Sequence, residues 1–250
     1  MRELSVRIIG NGKAGQAFAQ AFEKVGTSVD GPLDKMTVGS TNVDLAFGVN
    51  FLILAVPDGK IASLSDQIPN NNSTTILHLS GSLGLDVLSK HTNIATLHPL
   101  APLPNKEIGA MRLLSGILMA YSGNDSVLSI VEAFNATPYR IKDSDRTLYH
   151  ACATVATNHV VALMNQVENL AMSLSIDPAY FMRLSQIALQ DVIELGSLDS
   201  LTGPAKRNDS QTIESHKQAL IDRMPEELEL YEALLKRAVL MSSELNRGGL

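Results

Sequence analysis

Cysteine and aromatic residues are scarce in this 250-residue sequence. Cys152 is the single cysteine, which excludes an intramolecular disulfide and a cysteine-rich metal site, and we expect it to be a small core residue. Aromatic residues make up 4% of the chain against 45% hydrophobic residues, so the core must be built on aliphatic packing. The length and composition predict a globular protein, and we expect two domains.

Clusters of Lys and Arg and long apolar runs are also missing. The formal net charge is -6, and binding to nucleic acid requires clustered cations, so we expect no nucleic-acid partner. Apolar runs such as residues 51–57 fall short of the roughly 20 residues of a membrane helix, so we expect no membrane partner. The amino terminus leads directly into a strand-like run without a signal-peptide pattern, which predicts a cytoplasmic location.

Up to about residue 141, short apolar runs alternate with turn-forming residues. Several runs are apolar throughout, as parallel strands covered on both faces should be, and the alternation predicts a parallel sheet with crossover connections. Residues 27–48 fit this pattern poorly. The predicted strands are Val6–Ile9, a loosely placed Ser28–Leu33, Phe51–Val56, Thr75–Leu79, Asn93–Leu97, Gly116–Tyr121 and Pro138–Ile141.

Beyond Asp143 the strand-like runs disappear and a 3.6-residue period takes over. The fold class is therefore α/β, a Rossmann-type, mostly parallel sheet followed by an all-helical second domain. We place a dinucleotide-binding domain at residues 1–142 and a helical substrate-binding and dimerisation domain at residues 143–250. The predicted helices are Asp145–Leu174, Pro178–Leu195, Asp209–Met224 and Pro225–Leu245, with a break at Gly203-Pro204.

A Gly-x-Gly-x-x-Gly pattern lies between the first predicted strand and an amphipathic helix, which is the context of a dinucleotide-binding turn. Gly10 permits a sharp turn, Gly12 lets the backbone approach a pyrophosphate, and Gly15 lets the helix pack on the sheet. The free N–H groups and the dipole of the helix favour phosphates. The alternative is a tight turn without a ligand. The predicted cofactor-binding residues here are Gly10, Asn11, Gly12, Lys13, Ala14 and Gly15.

The choice between NAD and NADP depends on residues near the second strand. Asp30 and Asp34 both fit the spacing of about 20 residues expected of an acid that holds the ribose hydroxyls of NAD. Lys35 could instead meet the 2'-phosphate of NADP. We place Asp34 and Lys35 in the cofactor site and favour NADP slightly, while solvated loop charges are the alternative for all three residues.

Small or polar residues follow three successive predicted strands. They are Val56-Pro57-Asp58, Ser80-Gly81 and His98-Pro99. Because ligands of open parallel sheets bind at the carboxyl ends of the strands, we expect Val56, Pro57, Asp58, Ser80 and Gly81 to line the cofactor crevice. His98 is a candidate proton-transfer residue, although a histidine at such a position is more often structural.

The whole chain resembles a bacterial family of Rossmann-like proteins with a carboxy-terminal domain of unknown function, within the 6-phosphogluconate dehydrogenase-like superfamily. The motifs that carry the resemblance are the glycine turn, Ala55-Val56-Pro57-Asp58, Ser80-Gly81, His98-Pro99-Leu100, Tyr149-His150 with Asn158, and Leu201-Thr202-Gly203-Pro204 with Arg207 and Asp209. Related members include ketopantoate reductase, pyrroline-5-carboxylate reductase and deazaflavin-dependent NADP oxidoreductase. The resemblance implies an NAD(P)-binding domain, an oxidoreductase activity, and a helical domain that often forms a dimer interface.

The related beta-hydroxyacid dehydrogenases carry Gly-x-x-x-Lys-x-x-x-Asn on a helix, with Lys as the proton-transfer group. On this chain Asn158 matches the Asn, Thr154 falls at the Lys and His150 falls at the Gly. The usual acid is therefore missing, and His150 is a replacement one helical turn away. In the motif after Pro204, Asn208 stands where Gly is usual; Asn also tolerates the left-handed conformation.

His150, Thr154 and Asn158 are four residues apart and should form one stripe along a helix. Imidazole can supply the proton that accompanies hydride transfer, and Asn can orient a polar group. The alternative is a structural hydrogen bond between helices. The predicted catalytic residues are His150, Asn158 and His98. The predicted substrate-binding residues are Thr154, Thr202, Gly203 and Arg207. Arg207 is included because its planar side chain could clamp a carboxylate or phosphate. Thr202 could instead be a helix cap.

The sequence predicts an NAD(P)-dependent oxidoreductase that transfers a hydride between a nicotinamide cofactor and a small carbonyl, imine or alcohol substrate. We expect no metal ion, and a homodimer formed through the helical domain. The alternative is a non-catalytic protein that binds or senses NAD(P), and exchange of electrons with a deazaflavin is a third hypothesis.

Overall fold

The computed structural model describes residues 4–34, 45–70 and 72–247. The chain divides into two compact units, Met1–Thr157 and Asn158–Leu250. Residues 143–157, which the sequence assigned to the helical domain, group with the first unit, while the functional division into domains stays a prediction.

The first unit alternates strands and helices. Its strands are β1 (Ser5–Ile9), β2 (Ser28–Leu33), β3 (Phe51–Leu54), β4 (Thr75–His78), β5 (Ile94–Pro99), β6 (Leu118–Gly123) and β7 (Thr137–Arg140). Its helices are α1 (Lys13–Lys24), α2 (Asp58–Ser65), α3 (Lys106–Leu113), α4 (Leu128–Ala133) and α5 (Arg146–Thr154). Short 3-10 turns lie at Leu85–Leu88, Asp125–Val127 and Asp143–Asp145.

Within the described residues these strands form one seven-stranded sheet in the order β2-β1-β3-β4-β5-β6-β7. Neighbouring strands are parallel except β5 and β6, which are antiparallel. Successive side chains of a strand point to opposite faces, and both faces are covered. Phe51 and Ile53 of β3 belong to one core cluster together with Phe18 of α1, whereas Leu52 and Leu54 belong to another. The apolar runs read from the sequence therefore follow from burial on both faces.

Strand β2 has the predicted bounds but a weak pattern, because it lies at the edge of the sheet and none of its residues is fully buried. Its chain contains Gly31-Pro32, where Gly31 has φ +120°. A Cβ on Gly31 would lie 2.5 Å from the carbonyl oxygen of Ile8, so the close approach of β2 to β1 requires glycine here. Proline has no N–H to donate to a neighbouring strand, and an edge strand has a neighbour on one side only, so proline is tolerated here.

The remaining helical elements confirm the all-helical character of the second half. A π-helix (Val155–His159) is followed by α6 (Val160–Ser173), α7 (Pro178–Leu195), α8 (Gly203–Arg207), α9 (Ser210–Arg223), a 3-10 turn at Pro225–Glu227 and α10 (Leu228–Arg247). Capping explains two starts, because Asp177 and Asp209 accept hydrogen bonds from the N–H groups of Ala179 and Thr212. The predicted fold class is confirmed, and no helix among the described residues is long and apolar enough to cross a bilayer.

Three local predictions are corrected. The predicted uniform helix Asp145–Leu174 is interrupted by the π-helix, whose i→i+5 hydrogen bonds change the angular spacing of side chains. Cys152 is exposed and is not a core residue. Thr202 occupies the N-cap of α8 but makes no side-chain capping hydrogen bond, whereas Asn208 has the expected left-handed conformation at φ 57°.

Candidate functional site

The glycine turn connects β1 to α1 and leaves the start of the helix open. Gly12, the N-cap, has extended backbone angles, makes no side-chain capping bond, and the first turn of α1 contains no acidic residue. Among the described residues, no side chain caps the N–H groups of the first turn, which is the condition for binding an anion at a helix N-terminus.

The three glycines of this turn have different surroundings. A Cβ on Gly10 would lie 2.2 Å from the carbonyl oxygen of Ala55, and a Cβ on Gly15 would lie 1.9 Å from that of Gly10, so the fold itself requires both. A Cβ on Gly12 would meet no atom of the described part of the chain within 4 Å. The bare backbone at Gly12 is open to a ligand.

A cleft of about 310 Å³ adjoins this turn. Six predicted cofactor residues and the neighbouring Ala55 line it. The other lining residues belong to α2 or follow it, and sequence reasoning missed them: Lys60, Ser63, Leu64 and Gln67. The only available signal for Lys60 was its position just after Val56-Pro57-Asp58. The full lining is Gly10, Asn11, Gly12, Asp34, Ala55, Val56, Pro57, Lys60, Ser63, Leu64 and Gln67.

The other predicted cofactor residues among the described ones are not part of this lining; they are Lys13, Ala14, Gly15, Asp58, Ser80 and Gly81. Lys13, Ala14 and Gly15 are in the first turn of α1, and Lys35 lies outside the described residues. The N–H groups at the start of α1 could hold a diphosphate, and Asp34 and Lys60 bring one charge of each sign to the cleft. The role of each residue toward a cofactor stays a prediction.

Polar side chains at the carboxyl ends of β3 and β4 are joined by hydrogen bonds. Hydroxyl groups of Ser80 and Ser82 donate to Oδ2 of Asp58 over 2.7 and 2.9 Å. His78, which is fully buried, lies 3.0 Å from the carbonyl oxygen of Gly84 through Nε2, and its Nδ1 accepts from the N–H of Ser80. Burial lowers the pKa of His78, so this histidine is a neutral support of the turn that carries Ser80.

His98, His150 and Tyr149 meet beside this turn. His98 lies within β5 rather than after the strand, as the sequence had placed it, because β5 continues to Pro99. Its Nδ1 lies 2.8 Å from the hydroxyl of Tyr149, and its ring stands nearly perpendicular to that of His150, with centroids 5.8 Å apart. The structure thus brings together two predicted catalytic residues and adds Tyr149, which the sequence showed only as part of a family motif.

Two imidazole nitrogens approach one point above the backbone of Gly81. A Cβ on Gly81 would lie 2.7 Å from Nδ1 of His150 and 2.8 Å from Nε2 of His98. Glycine at this position therefore lets both imidazoles pack closely against the backbone. Nδ1 of His150 is buried without a hydrogen-bond partner among the described residues.

Arg146 anchors the start of α5 to the sheet, and sequence reasoning missed it. Its side chain is 1% exposed. Nε donates to Oδ1 of Asp143 over 2.9 Å, and Nη2 donates to the hydroxyls of Thr96 on β5 and Ser122 on β6. Burial alone would raise the pKa of Asp143, but hydrogen bonds from Arg146 and from the N–H of Leu85 hold it below its usual range.

Arg146 shares its face of α5 with two residues of the candidate site. Tyr149 and His150 are three and four residues after Arg146, so all three lie on one face of α5. Burial, with contributions from His150 and Arg146, lowers the pKa of His98 to about 4, and burial raises the pKa of Tyr149 to about 12. Both groups are therefore uncharged near neutrality.

The remaining predicted site residues are placed as follows. Thr154 is the last residue of α5 and is half-buried, whereas Asn158 lies in the π-helix and is exposed. Thr202, Gly203 and Arg207 belong to α8 and its N-cap, and Arg207 is exposed. Arg207 contributes to lowering the pKa of Asp209, after the hydrogen bonds from Thr212. These roles stay predictions.

Comparison with known proteins agrees with the resemblance stated from the sequence. Residues 120–238 match the family model described as a domain of unknown function, DUF2520. Together with the fold, this match confirms the resemblance to Rossmann-like proteins with a helical carboxy-terminal domain. No curated protein matches the sequence.

Solved structures share the fold over nearly the whole chain. Protein TM1727 from Thermotoga maritima is 18% identical with a TM-score of 0.70, covering 96% of this chain and 99% of its own. A reductive aminase from Aspergillus terreus in complex with NADPH is 17% identical with a TM-score of 0.69, covering 98% and 99%. Pyrroline carboxylate reductase from Plasmodium falciparum with NADP bound is 15% identical with a TM-score of 0.60, covering 97% and 99%.

Proposed function

We propose that this chain, whose residues 120–238 match the domain of unknown function DUF2520, is an NADP-dependent oxidoreductase acting on a small carbonyl, imine or alcohol. The observation that carries the proposal is the uncapped start of α1 beside the open backbone of Gly12. Support for NADP comes from the structures of the reductive aminase and the pyrroline carboxylate reductase, which contain NADPH and NADP.

The residues have distinct proposed roles toward the cofactor. The first turn of α1, from Lys13 to Gly15, and the backbone of Asn11 would hold the pyrophosphate, and Asp34, Lys35 and Lys60 would face the adenosine ribose. When bound, the cofactor supplies or accepts a hydride. Ser80, Gly81 and Asp58 would line the cofactor crevice at the carboxyl ends of the strands, where ligands of such sheets bind.

We propose that the two histidines beside Gly81 carry out the proton transfer. His150 and His98 are the proposed catalytic residues, and Asn158 would orient a polar group of the substrate. Thr154, Thr202, Gly203 and Arg207 are the proposed substrate-binding residues.

Valine at Gly12 tests cofactor binding without disturbing the fold. The extended conformation of Gly12 suits any residue, and an added Cβ would meet none of the described residues' atoms within 4 Å, so Gly12→Val should fold normally. We expect it to weaken NADPH binding by more than about tenfold, or about 1.4 kcal/mol, as measured by calorimetry.

Gly59→Val is the matched control, because Gly59 also has open space around its Cβ but lies outside the lining of the cleft. It should bind NADPH like the wild type. In a thermal-shift comparison, a hundredfold excess of NADPH over its dissociation constant should stabilise the wild type by about 2.7 kcal/mol. Absence of stabilisation by both NADPH and NADH, or unchanged affinity in Gly12→Val, would contradict the proposal.

Cofactor binding without turnover is the second candidate function. Thr154 stands where the resemblance expects the proton-transferring Lys, and this departure favours binding without turnover. A screen of NADPH absorbance against small oxo acids, ketones and cyclic imines separates the two functions. Substrate-dependent oxidation supports the enzyme, and tight NADPH binding with no oxidation across the screen supports the second candidate.

The helical unit is proposed to form a homodimer through α7. Within this 18-residue helix no residue is buried, although it is rich in large apolar side chains. At about 1.5 Å per residue the helix is roughly 27 Å long, and exposed apolar side chains lie along this whole length and on more than one side of it. An exposed apolar surface of this extent marks an interaction site, and a second copy of the chain offers the same face. Its exposed apolar residues are Tyr180, Leu184, Ile187, Leu189, Val192, Ile193 and Leu195.

A further inference from the structure

The cleft beside the glycine turn is formed at the carboxyl ends of three neighbouring strands. The glycine turn follows β1 in the middle, Asp34 follows β2 on one side, and the residues from Ala55 onward follow β3 on the other. In dinucleotide-binding sheets the pyrophosphate rests on the turn after the first strand, and the acid after the second strand faces the ribose of the adenosine half. The cleft therefore lies where the adenosine half of a dinucleotide binds.

One face of α2 forms the wall of the cleft on the β3 side. The residues of this wall are spaced by three, four and seven positions, so they share one side of the helix and of the turn that follows it. They are Lys60, Ser63, Leu64 and Gln67. Lys60 lies in the first turn of α2, beside the end of β3. Its side chain is therefore the one on this wall that lies nearest to the strand ends.

The cleft has one positive and one negative side chain. Among the described residues that line it, Lys60 is the single cation and Asp34 the single anion. Lys60 is exposed, and its hydrogen bonds within the described residues involve only its backbone groups. No described carboxylate neutralises the ammonium, so it is free to pair with an anionic group of a ligand in the cleft.

The side chain of Lys60 can reach toward the ribose position. β2 and β3 flank β1 in the sheet, so their ends are two strand spacings, or about 10 Å, apart. Lysine carries three rotatable donors at the end of a flexible stem of four carbons. From the β3 side, the ammonium can therefore cover much of the distance to a group held beside Asp34.

We propose that Lys60 binds the 2'-phosphate of NADP and is the residue that selects NADP over NAD. This inference rests on the proposed function and assigns one group of its cofactor to one side chain. NADP differs from NAD only in this phosphate on the adenosine ribose, and a phosphate monoester carries a charge of about -1.5 to -2 at pH 7. The sequence had offered Lys35 after β2 for this role, whereas Lys60 approaches from the helix after β3.

Asp34 and Lys60 act on cofactor choice in opposite directions. A carboxylate after β2 accepts hydrogen bonds from the two free hydroxyls of the NAD ribose, and it repels a phosphate at the same place. The ammonium of Lys60 attracts that phosphate and offsets the repulsion. Without Lys60 the described lining keeps only the negative charge of Asp34, so the cleft should then favour the ribose of NAD.

Two nucleotides that differ only in the 2'-phosphate test the assignment without any substrate or turnover. Calorimetry at low ionic strength measures the affinities for adenosine 2',5'-bisphosphate and adenosine 5'-monophosphate, since salt screens an exposed ion pair. The wild type should bind the bisphosphate more tightly. Lys60→Gln should weaken binding of the bisphosphate about tenfold, as expected for a lost hydrogen bond between charged groups, and leave the monophosphate almost unchanged. Lys60→Arg, which keeps the charge, should keep most of the preference.

Lys24→Gln is the matched control. It removes the same charge from the last turn of α1, where Lys24 is exposed and lies outside the lining of the cleft, and it should leave both affinities as in the wild type. An equal loss in Lys24→Gln and Lys60→Gln would assign the effect to net charge. An equal loss of both nucleotides in Lys60→Gln would assign Lys60 to the 5'-phosphate, and unchanged affinities in Lys60→Gln would leave Lys35 as the candidate. Each of these three results would overturn the inference.

Binding of the intact dinucleotides separates this inference from the proposed function. Lys60→Gln should lower the ratio of NADPH to NADH affinity about tenfold while still binding NADH. A wild type that binds NADH as tightly as NADPH would overturn the inference and leave an oxidoreductase that uses either nicotinamide cofactor. Failure of the wild type to bind both dinucleotides would overturn the proposed function itself.

Discussion

Two aspartates near the end of β2 fit the spacing of a ribose-binding acid, and their surroundings separate them. Nε of Arg7 donates a hydrogen bond to Oδ2 of Asp30 over 2.7 Å, which forms an ion pair. Asp34 follows the strand, is exposed, and lines the cleft beside Gly10 and Gly12. Of the two, only Asp34 lines the cleft, so we expect Asp34, and not Asp30, to act on the 2'-phosphate that distinguishes NADP from NAD.

Asp34→Asn should shift cofactor preference toward NADPH. Removing a negative charge from the cleft lowers the repulsion of the 2'-phosphate by up to about 1 kcal/mol at an exposed site, which raises the ratio of NADPH to NADH affinity a few-fold. Calorimetry at low ionic strength measures both affinities, since salt screens the effect. Asp30→Asn is the control and should leave the ratio as it is; an equal rise in both variants would assign the effect to net charge alone.

At the scale of elements, α5 depends on a single buried cation. The guanidinium of Arg146 ties the first turn of the helix to β5 and β6 through Thr96 and Ser122. Since Tyr149 and His150 lie on the same helix face, the anchor fixes their distance from His98. A helix held only by apolar contacts could slide along the sheet, because such contacts are not directional.

Arg146→Ala should destabilise the protein by roughly 3 kcal/mol, from the lost volume and the lost hydrogen bonds. Arg146→Lys keeps the charge without the planar fork and should cost less. Urea denaturation measures both. The exposed pair of Arg140 and Asp125 supplies the control, so Arg140→Ala should change the midpoint little. An Arg146→Ala midpoint as close to the wild type as that of Arg140→Ala would show that Arg146 is no anchor.

At the scale of the whole molecule, buried histidines make folding sensitive to acid. His98 has a folded pKa of about 4 against an ordinary 6.5, so the unfolded chain binds its proton first as the pH falls. Its contribution to stability is complete above pH 6.5 and is lost as the pH falls toward 4. His78, also with a lowered pKa, acts in the same direction. Burial is the main cause at both sites; at His98 the neighbours His150 and Arg146 add to it, and Asp58 opposes it.

The free energy of unfolding should therefore decrease between pH 6.5 and pH 4, and His98→Gln should flatten this decrease. Denaturation curves in urea at several pH values measure the slope. His216→Gln removes an exposed histidine of the helical unit and is the control with which the slope of His98→Gln is compared. A slope equal in His98→Gln and the wild type would contradict the assignment.

Assembly is the second property of the whole molecule. Ile193 is 77% exposed on α7, and Ile193→Lys would place a charge in the proposed dimer interface. Light scattering should show a dimer for the wild type and a monomer for this variant. Gln211→Lys adds the same charge at an exposed polar position of α9, outside α7, and should remain dimeric. A monomeric wild type at micromolar concentration would contradict the dimer.

The sequence by itself determined the sheet, the first turn and the helical second half, because their signals are local. Apolar runs covered on both faces, glycine spacing between a strand and a helix, and a 3.6-residue period are all properties of neighbouring residues. The bounds of β2 and α7 followed from the same rules. The π-helix could not be predicted from the sequence, since nothing in residues 155–159 breaks the helical pattern.

Only the tertiary structure decided which polar residues meet. Tyr149 and His98 are far apart in the chain, and their hydrogen bond exists because Arg146 holds α5 against β5 and β6. The same packing closes His150 over Gly81 and exposes Cys152 on that helix. Contacts between distant residues depend on how elements pack, and no local spacing encodes that packing.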